Sequence, residues 1–124
     1  IEPQAYLTCW VALTDTDEEN GCPWVMPGLH QRGTLFHDST DLGHEIPLDA
    51  SESIPLPLKA GSIAIFSSLT PHRTGPNLSE GIRKSYILQY APEGSKRVIS
   101  QSLREDLNDE TRQFLILKDG KEVN

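Results

Sequence analysis

Arg83 to Tyr90 reads Arg-Lys-Ser-Tyr-Ile-Leu-Gln-Tyr and is the clearest strand of the chain. Its apolar and aromatic side chains suit a pleated backbone. The side-chain period of two puts Arg83, Ser85, Ile87 and Gln89 on one face, and Lys84, Tyr86, Leu88 and Tyr90 on the other. Upstream of it, Leu69 to Gly81 is a loop rich in Pro, Gly and Asn, and Ser62 to Ser67 (SIAIFS) reads as a buried strand after a turn at Lys59-Ala60-Gly61. Two prolines make Ile54 to Leu58 an edge strand. Farther back, Leu29 to Ser53 is a polar surface excursion without helical period, and Trp24-Val25-Met26 is a brief strand stopped by Pro27-Gly28. Tyr6 to Leu13 (YLTCWVAL) is another strand, with Thr8, Trp10 and Ala12 on one face; an acidic loop ending in the turn Asn20-Gly21 follows it. Downstream, Ser102 to Gln113 reads as a short acidic helix and Phe114 to Val123 as a hairpin turning at Asp119-Gly120. Short strands at fairly regular spacing imply an all-β sandwich or barrel.

Length and composition bound the rest. A chain of 124 residues is the size of one domain, read here as 1–124 with barrel strands in 1–92 and a carboxyl-terminal extension in 93–124. The net charge of −7 argues against a nucleic acid partner, which needs a surplus of Lys and Arg. No run of eighteen apolar residues offers a membrane span, and Ile1-Glu2-Pro3 has neither the basic region nor the cleavage site of a targeting peptide. Cys9 and Cys22, the two cysteines, form no CxxC pair and read as reduced thiols of a cytoplasmic protein. The chain lacks a starting Met, which points to a piece of something longer.

Two residues stand out chemically. His72 lies where a buried strand meets a loop, a position from which a neutral imidazole can ligate a metal; the alternative is a hydrogen-bonded loop histidine. Arg83 opens the last strand. If its face lines the barrel, its planar fork needs an anion such as a carboxylate; alternatively it pairs with an acidic loop residue. His30, His37 and His44, spaced by sevens in a polar loop, offer no ligand geometry. The acidic run Asp15 to Glu19 reads as a solvated turn, and Trp24 as core.

Several separated motifs, taken together, are similar to a known family. They are Trp10-Val11-Ala12-Leu13, Asn20-Gly21-Cys22, Trp24 to His30, Lys59-Ala60-Gly61-Ser62, His72 to Asn77, Ser79, Arg83 and Gln89-Tyr90-Ala91-Pro92. In order and spacing this block, from about Tyr6 to Pro92, resembles the phytanoyl-CoA dioxygenase family of iron(II)- and 2-oxoglutarate-dependent oxygenases. The resemblance implies a double-stranded β-helix (jelly-roll, cupin-like), incomplete at the amino terminus. It implies that His72 is the distal histidine of the iron site and that Arg83, eleven positions on, grips the far carboxylate of 2-oxoglutarate. Thr74 falls where the family has a small hydroxyl residue near that carboxylate, and Trp10 matches an inward-facing aromatic beside the cosubstrate. The implied reaction takes dioxygen and a small-molecule substrate, decarboxylates 2-oxoglutarate to succinate and leaves the substrate hydroxylated.

An iron centre of this class takes two histidines and a carboxylate on one face. The family supplies the first two ligands from a His-x-Asp or His-x-Glu motif, which this sequence lacks: two places after His30, His37, His44 and His72 stand Arg32, Ser39, Ile46 and Thr74. The family's motif lies just upstream of the strand carrying Trp10, which here falls before Ile1. The chain is therefore expected to be the carboxyl-terminal part of a longer enzyme, inactive alone. The other readings are a metal-deficient barrel acting as a non-catalytic anion-binding module, and a halogenase-type relative. The substrate is not legible, because loops set it.

Overall fold

A computed structural model describes residues 1–2, 5–41, 43–107 and 115–123. Among them the structure is built from strands, with single 3-10 turns at Leu29–Arg32 and Ala50–Glu52. The larger sheet takes β1 (Leu7–Ala12) as its middle strand, between β6 (Ile63–Ser67) and β8 (Ser85–Tyr90), both antiparallel to it. The smaller sheet centres β2 (Pro23–Val25) between β5 (Ile54–Pro55) and β7 (His72–Thr74). Three hairpins complete the list: β3 (Asp38–Thr40) with β4 (Gly43–Glu45), β9 (Lys96–Val98) with β10 (Arg104–Asp106), and β11 (Leu117–Lys118) with β12 (Lys121–Glu122).

Register follows the apolar alternation. Thr8, Trp10 and Ala12 are the buried side chains of β1, while Leu7, Cys9 and Val11 on its other face are not buried. Trp10 pairs with Ala64 on β6 and Ile87 on β8, so these share its inner face, along with Phe66 and Ser85. A one-residue slip would turn Trp10 outward, and burying a Trp side chain stabilises by on the order of 5 kcal/mol. Trp10, Ala12 and Ala64 form the core cluster, and Leu56 and Leu58, which follow β5, pack against it with Phe66. The two sheets meet through this cluster.

Two local devices fix the loops around it. Asp17 and Asn20 exchange side-chain to backbone hydrogen bonds of 2.9 and 3.0 Å, closing the turn before Gly21. Gly21 has φ +88, and a Cβ there would stand 2.5 Å from the Gly75 carbonyl oxygen. Glycine is therefore demanded twice, by conformation and by the close approach of the 75–76 backbone. Elsewhere, Asp15 accepts from Lys59 Nζ and from the Ala60 N–H, both at 2.8 Å, latching the end of β1 to the turn before β6. The chain start is held to the β9–β10 hairpin: Glu2 exchanges backbone hydrogen bonds with Lys96, and its carboxylate accepts two bonds of 2.8 Å from Arg104.

The expected strands at Tyr6 to Leu13, Ser62 to Ser67 and Arg83 to Tyr90 are present with bounds shifted by one or two residues. Ile54–Pro55 is an edge strand as its prolines require. The hairpin at Asp119-Gly120 forms with both residues at positive φ, as a tight two-residue turn needs. The short acidic helix is a correction. Within Ser102 to Gln113, Arg104–Asp106 is a strand, paired with β9 and tied by Arg97 to Glu105 at 2.8 Å, and 108–113 lie outside the described residues. Cross-strand pairing and charge satisfaction outweigh local helix propensity there. The 29–53 excursion also carries the β3–β4 hairpin and two 3-10 turns, which a polar composition without periodicity does not reveal.

Candidate functional site

The segment from Leu69 to Gly81, expected as loop, contains β7. His72 opens it, paired with Val25 on β2, and Thr74 lies two residues on, hence on the same face. The His72 Nδ1 stands 2.8 Å from the Thr70 carbonyl oxygen. A carbonyl only accepts, so in the neutral ring Nδ1 carries the proton and Nε2 keeps its lone pair. The imidazole also lies against Phe66, with ring centroids 4.7 Å apart and planes at 54°. Phe66 belongs to the inner face of the larger sheet, so His72 looks toward the face that carries Trp10.

Arg83 precedes β8 by two residues and continues the inner-face alternation of Ser85 and Ile87. Its guanidinium carbon sits 5.9 Å from the Trp10 ring centroid, and Nη1 donates to Ser85 Oγ at 3.4 Å. Its Nε is buried without a hydrogen-bond partner, and no ion pair to Arg83 occurs among the described residues. A buried donor without an acceptor is a costly arrangement that a carboxylate ligand relieves. Arg83 and Trp10 thus share the inner face of the larger sheet, with the Arg83 Nε unpaired, while His72 and Thr74 are exposed on β7 and His72 touches that sheet through Phe66.

The donor set fits the implied cosubstrate at one end and the implied metal in part. Arg83 offers the fork for a carboxylate. His72 offers one ligand nitrogen, and no group of three His, Cys, Asp or Glu able to hold a metal occurs among the described residues. His30, His37 and His44 are exposed, with the rings of His37 and His44 stacked edge to face at 4.7 Å. Cys9 and Cys22 are free thiols; burial pushes the Cys22 thiol up, which makes it a poor nucleophile.

A cleft of about 330 Å³ opens at the end of the smaller sheet where β7 begins, bounded by His72, Pro71, Arg73, Trp24, Met26 and Leu48. Trp24, expected in the core, is instead half-buried on its wall with the Arg73 guanidinium 5.5 Å from its ring. In β2 the buried positions are Pro23 and Val25, so the alternation of a three-residue strand turns Trp24 to the opposite face. His44, read as loop, also reaches this cleft. Three contributors were not singled out in the sequence: Thr70, whose carbonyl fixes the His72 tautomer, Phe66, and Ser85. For Phe66 and Ser85 the signal was there, since both fall on the inward phase of a strand already identified.

Inward residues of this kind, on a curled pair of antiparallel sheets, define the fold of the cupin-like double-stranded β-helix oxygenases. EvdO2 from Micromonospora carbonacea var. aurantiaca, solved in complex with 2-oxoglutarate, superposes with a TM-score of 0.65 at 29% identity, over 74% of this chain and 42% of that one. The family model for phytanoyl-CoA dioxygenase matches residues 1–85, and the chain belongs to that family. Among curated relatives, the methylphosphonate hydroxylase of Gimesia maris is 34% identical over 85 residues, 68% of this chain and 33% of the relative. Phytanoyl-CoA dioxygenase 1 of Oryza sativa subsp. japonica is 31% identical over 93 residues, 70% and 33%. The chain thus spans about a third of the length of these relatives. The family and its structural neighbours are iron- and 2-oxoglutarate-dependent oxygenases.

Proposed function

We propose that this chain supplies the distal metal ligand and the cosubstrate clamp of an Fe(II)- and 2-oxoglutarate-dependent dioxygenase that hydroxylates a small molecule in the cytoplasm. His72 Nε2 is the ligand nitrogen, with its tautomer held by the Thr70 carbonyl. Arg83 receives the far carboxylate of 2-oxoglutarate, Thr74 offers a hydroxyl nearby, and Trp10 walls the site and keeps water from the guanidinium. When bound, the iron supplies the oxidative chemistry that couples dioxygen and cosubstrate decarboxylation to hydroxylation. The residues of this chain bind, orient and desolvate. The cleft beside His72 is the approach for a small substrate, and the net charge of −7 favours neither nucleic acid nor an anionic membrane surface as partner.

The observation that carries this reading is the unpaired, buried Nε of Arg83. Calorimetric titration of the chain with 2-oxoglutarate tests it. Arg83→Met is expected to weaken binding at least tenfold, whereas equal affinity in the two proteins removes Arg83 from the clamp.

A further inference from the structure

His72 is carried by a strand of three residues at the edge of its sheet, a short support for a side chain that must point in one direction. Two contacts define the ring. The Thr70 carbonyl, two residues back, fixes which nitrogen holds the proton. That single bond holds the tautomer only while the ring stays in place to make it, and a ring free to swing breaks it. The second contact is Phe66, on the inner face of β6 opposite Thr8, half-buried and packed on the Trp10 core cluster. Its ring meets that of His72 at 4.7 Å and 54°.

Among the described residues, the other ring contacts stay within one sheet or hairpin: His37 with His44, Arg73 with Trp24, Arg83 with Trp10. Phe66 to His72 alone crosses from the larger sheet to the smaller one. It therefore references the imidazole to the sheet whose inner face also carries Trp10 and leads into Arg83. We propose that Phe66 is a positioning residue for His72: its ring, with the Thr70 carbonyl, holds the imidazole as the Nδ1–H tautomer and aims Nε2 into the space between the sheets. The purpose of this aim rests on the reading of His72 as a metal ligand. Ligand histidines need such support, since loss of an outer partner typically costs 10- to 100-fold in metal affinity.

The test uses the metal-free chain labelled with ¹⁵N-histidine, with long-range imidazole spectra recorded at about pH 8, where an ordinary imidazole is neutral. In the unmodified chain His72 is expected to show a fixed Nδ1–H pattern, with ring protons shifted upfield by Phe66. Phe66→Leu is expected to remove the upfield shift and average the two nitrogens, with His30, His37 and His44 unchanged as internal controls. Phe66→Tyr is expected to restore the fixed pattern. A His72 that is averaged or Nε2-protonated in the unmodified chain overturns the inference, even if the Leu variant fails to fold. So does a folded Leu variant with an unchanged pattern. Titration with Co(II), followed by broadening of His72, separates the two layers. About tenfold weaker broadening in Phe66→Leu, rescued in Phe66→Tyr, supports both. Equal broadening in all three overturns the positioning role and leaves the ligand assignment standing. Co(II) that spares His72 in the unmodified chain overturns the ligand assignment, and with it the purpose given to Phe66.

Discussion

A half-buried guanidinium with one nitrogen unpaired contributes little to the stability of the chain that holds it. Leaving a buried donor unsatisfied costs about 1–3 kcal/mol, which the weak Ser85 bond at 3.4 Å and the indole contact only partly offset. Arg83→Met, similar in length and without polar atoms, is therefore expected to leave the urea midpoint unchanged or to raise stability by up to about 1 kcal/mol, even as it removes 2-oxoglutarate binding. Glycines give the opposite kind of site. Gly21 combines φ +88 with a Cβ position 2.5 Å from a carbonyl oxygen, whereas Gly61, at φ +87, has nothing within 4 Å. Gly61→Ala is expected to cost only the conformational 1–2 kcal/mol or so. Gly21→Ala must also displace the 75–76 backbone, and is expected to cost about 3 kcal/mol or more in the same denaturation measurement.

At the level of elements, the latch between Asp15 and the 59–61 turn has a pH signature. The Lys59 ammonium hydrogen-bonded to Asp15, with the Ala60 N–H, holds the carboxyl below its usual range. A carboxylate lowered in the folded state stabilises above its unfolded pKa, and that contribution is lost as pH falls through the folded value. The Glu2 carboxylate, lowered by its bonds from Arg104, behaves the same way. Thermal stability is thus expected to decline below about pH 4, with a shallower decline in Asp15→Asn, seen by circular dichroism across acid pH. Both groups are exposed, so the slope is modest.

The same scale explains what was legible in the sequence. β1 announces itself because one face is buried and alternation by two is written into six residues, and β6 and β8 through unbroken runs of β-favouring side chains. Three-residue strands carry no such signal. β7 is hidden in a Pro- and Gly-rich segment, β2 is too short for its alternation to show that Trp24 leaves the core, and β10 forms because its pairing partner fixes it and its own residues do not. Arg83 and Trp10 could be put on inward faces by counting. The tautomer of His72 depends on a backbone carbonyl, which no side-chain pattern encodes.

For the molecule as a whole, the outer face of the larger sheet is the dominant surface feature. Leu7, Ile63, Ile65, Tyr86 and Tyr90 are all exposed there, Ile65 at 62%. The register puts them side by side, since Leu7 pairs with Tyr90 and Cys9 with Ile65. An apolar face of this kind drives association. The 124-residue chain is expected to self-associate at micromolar concentration and to bind an apolar fluorescent dye. Ile63→Lys with Ile65→Lys is expected to reduce both, measured by light scattering and dye emission. Among the described residues, no helix is long and apolar enough to cross a membrane.

The placement of β1 between β6 and β8 has a consequence for synthesis. Of these three strands a ribosome makes the central one before the others, and its partner for Leu7 is Tyr90. At ordinary elongation rates of about 5–20 residues per second, roughly 4–16 s pass between the two. The edge facing β6 gains its partner once Ile63–Ser67 is made, but the edge facing β8 waits for the whole interval. The nascent sheet is therefore open to holdase chaperones until β8 emerges, so codon choice between residues 13 and 85 governs how long that window lasts.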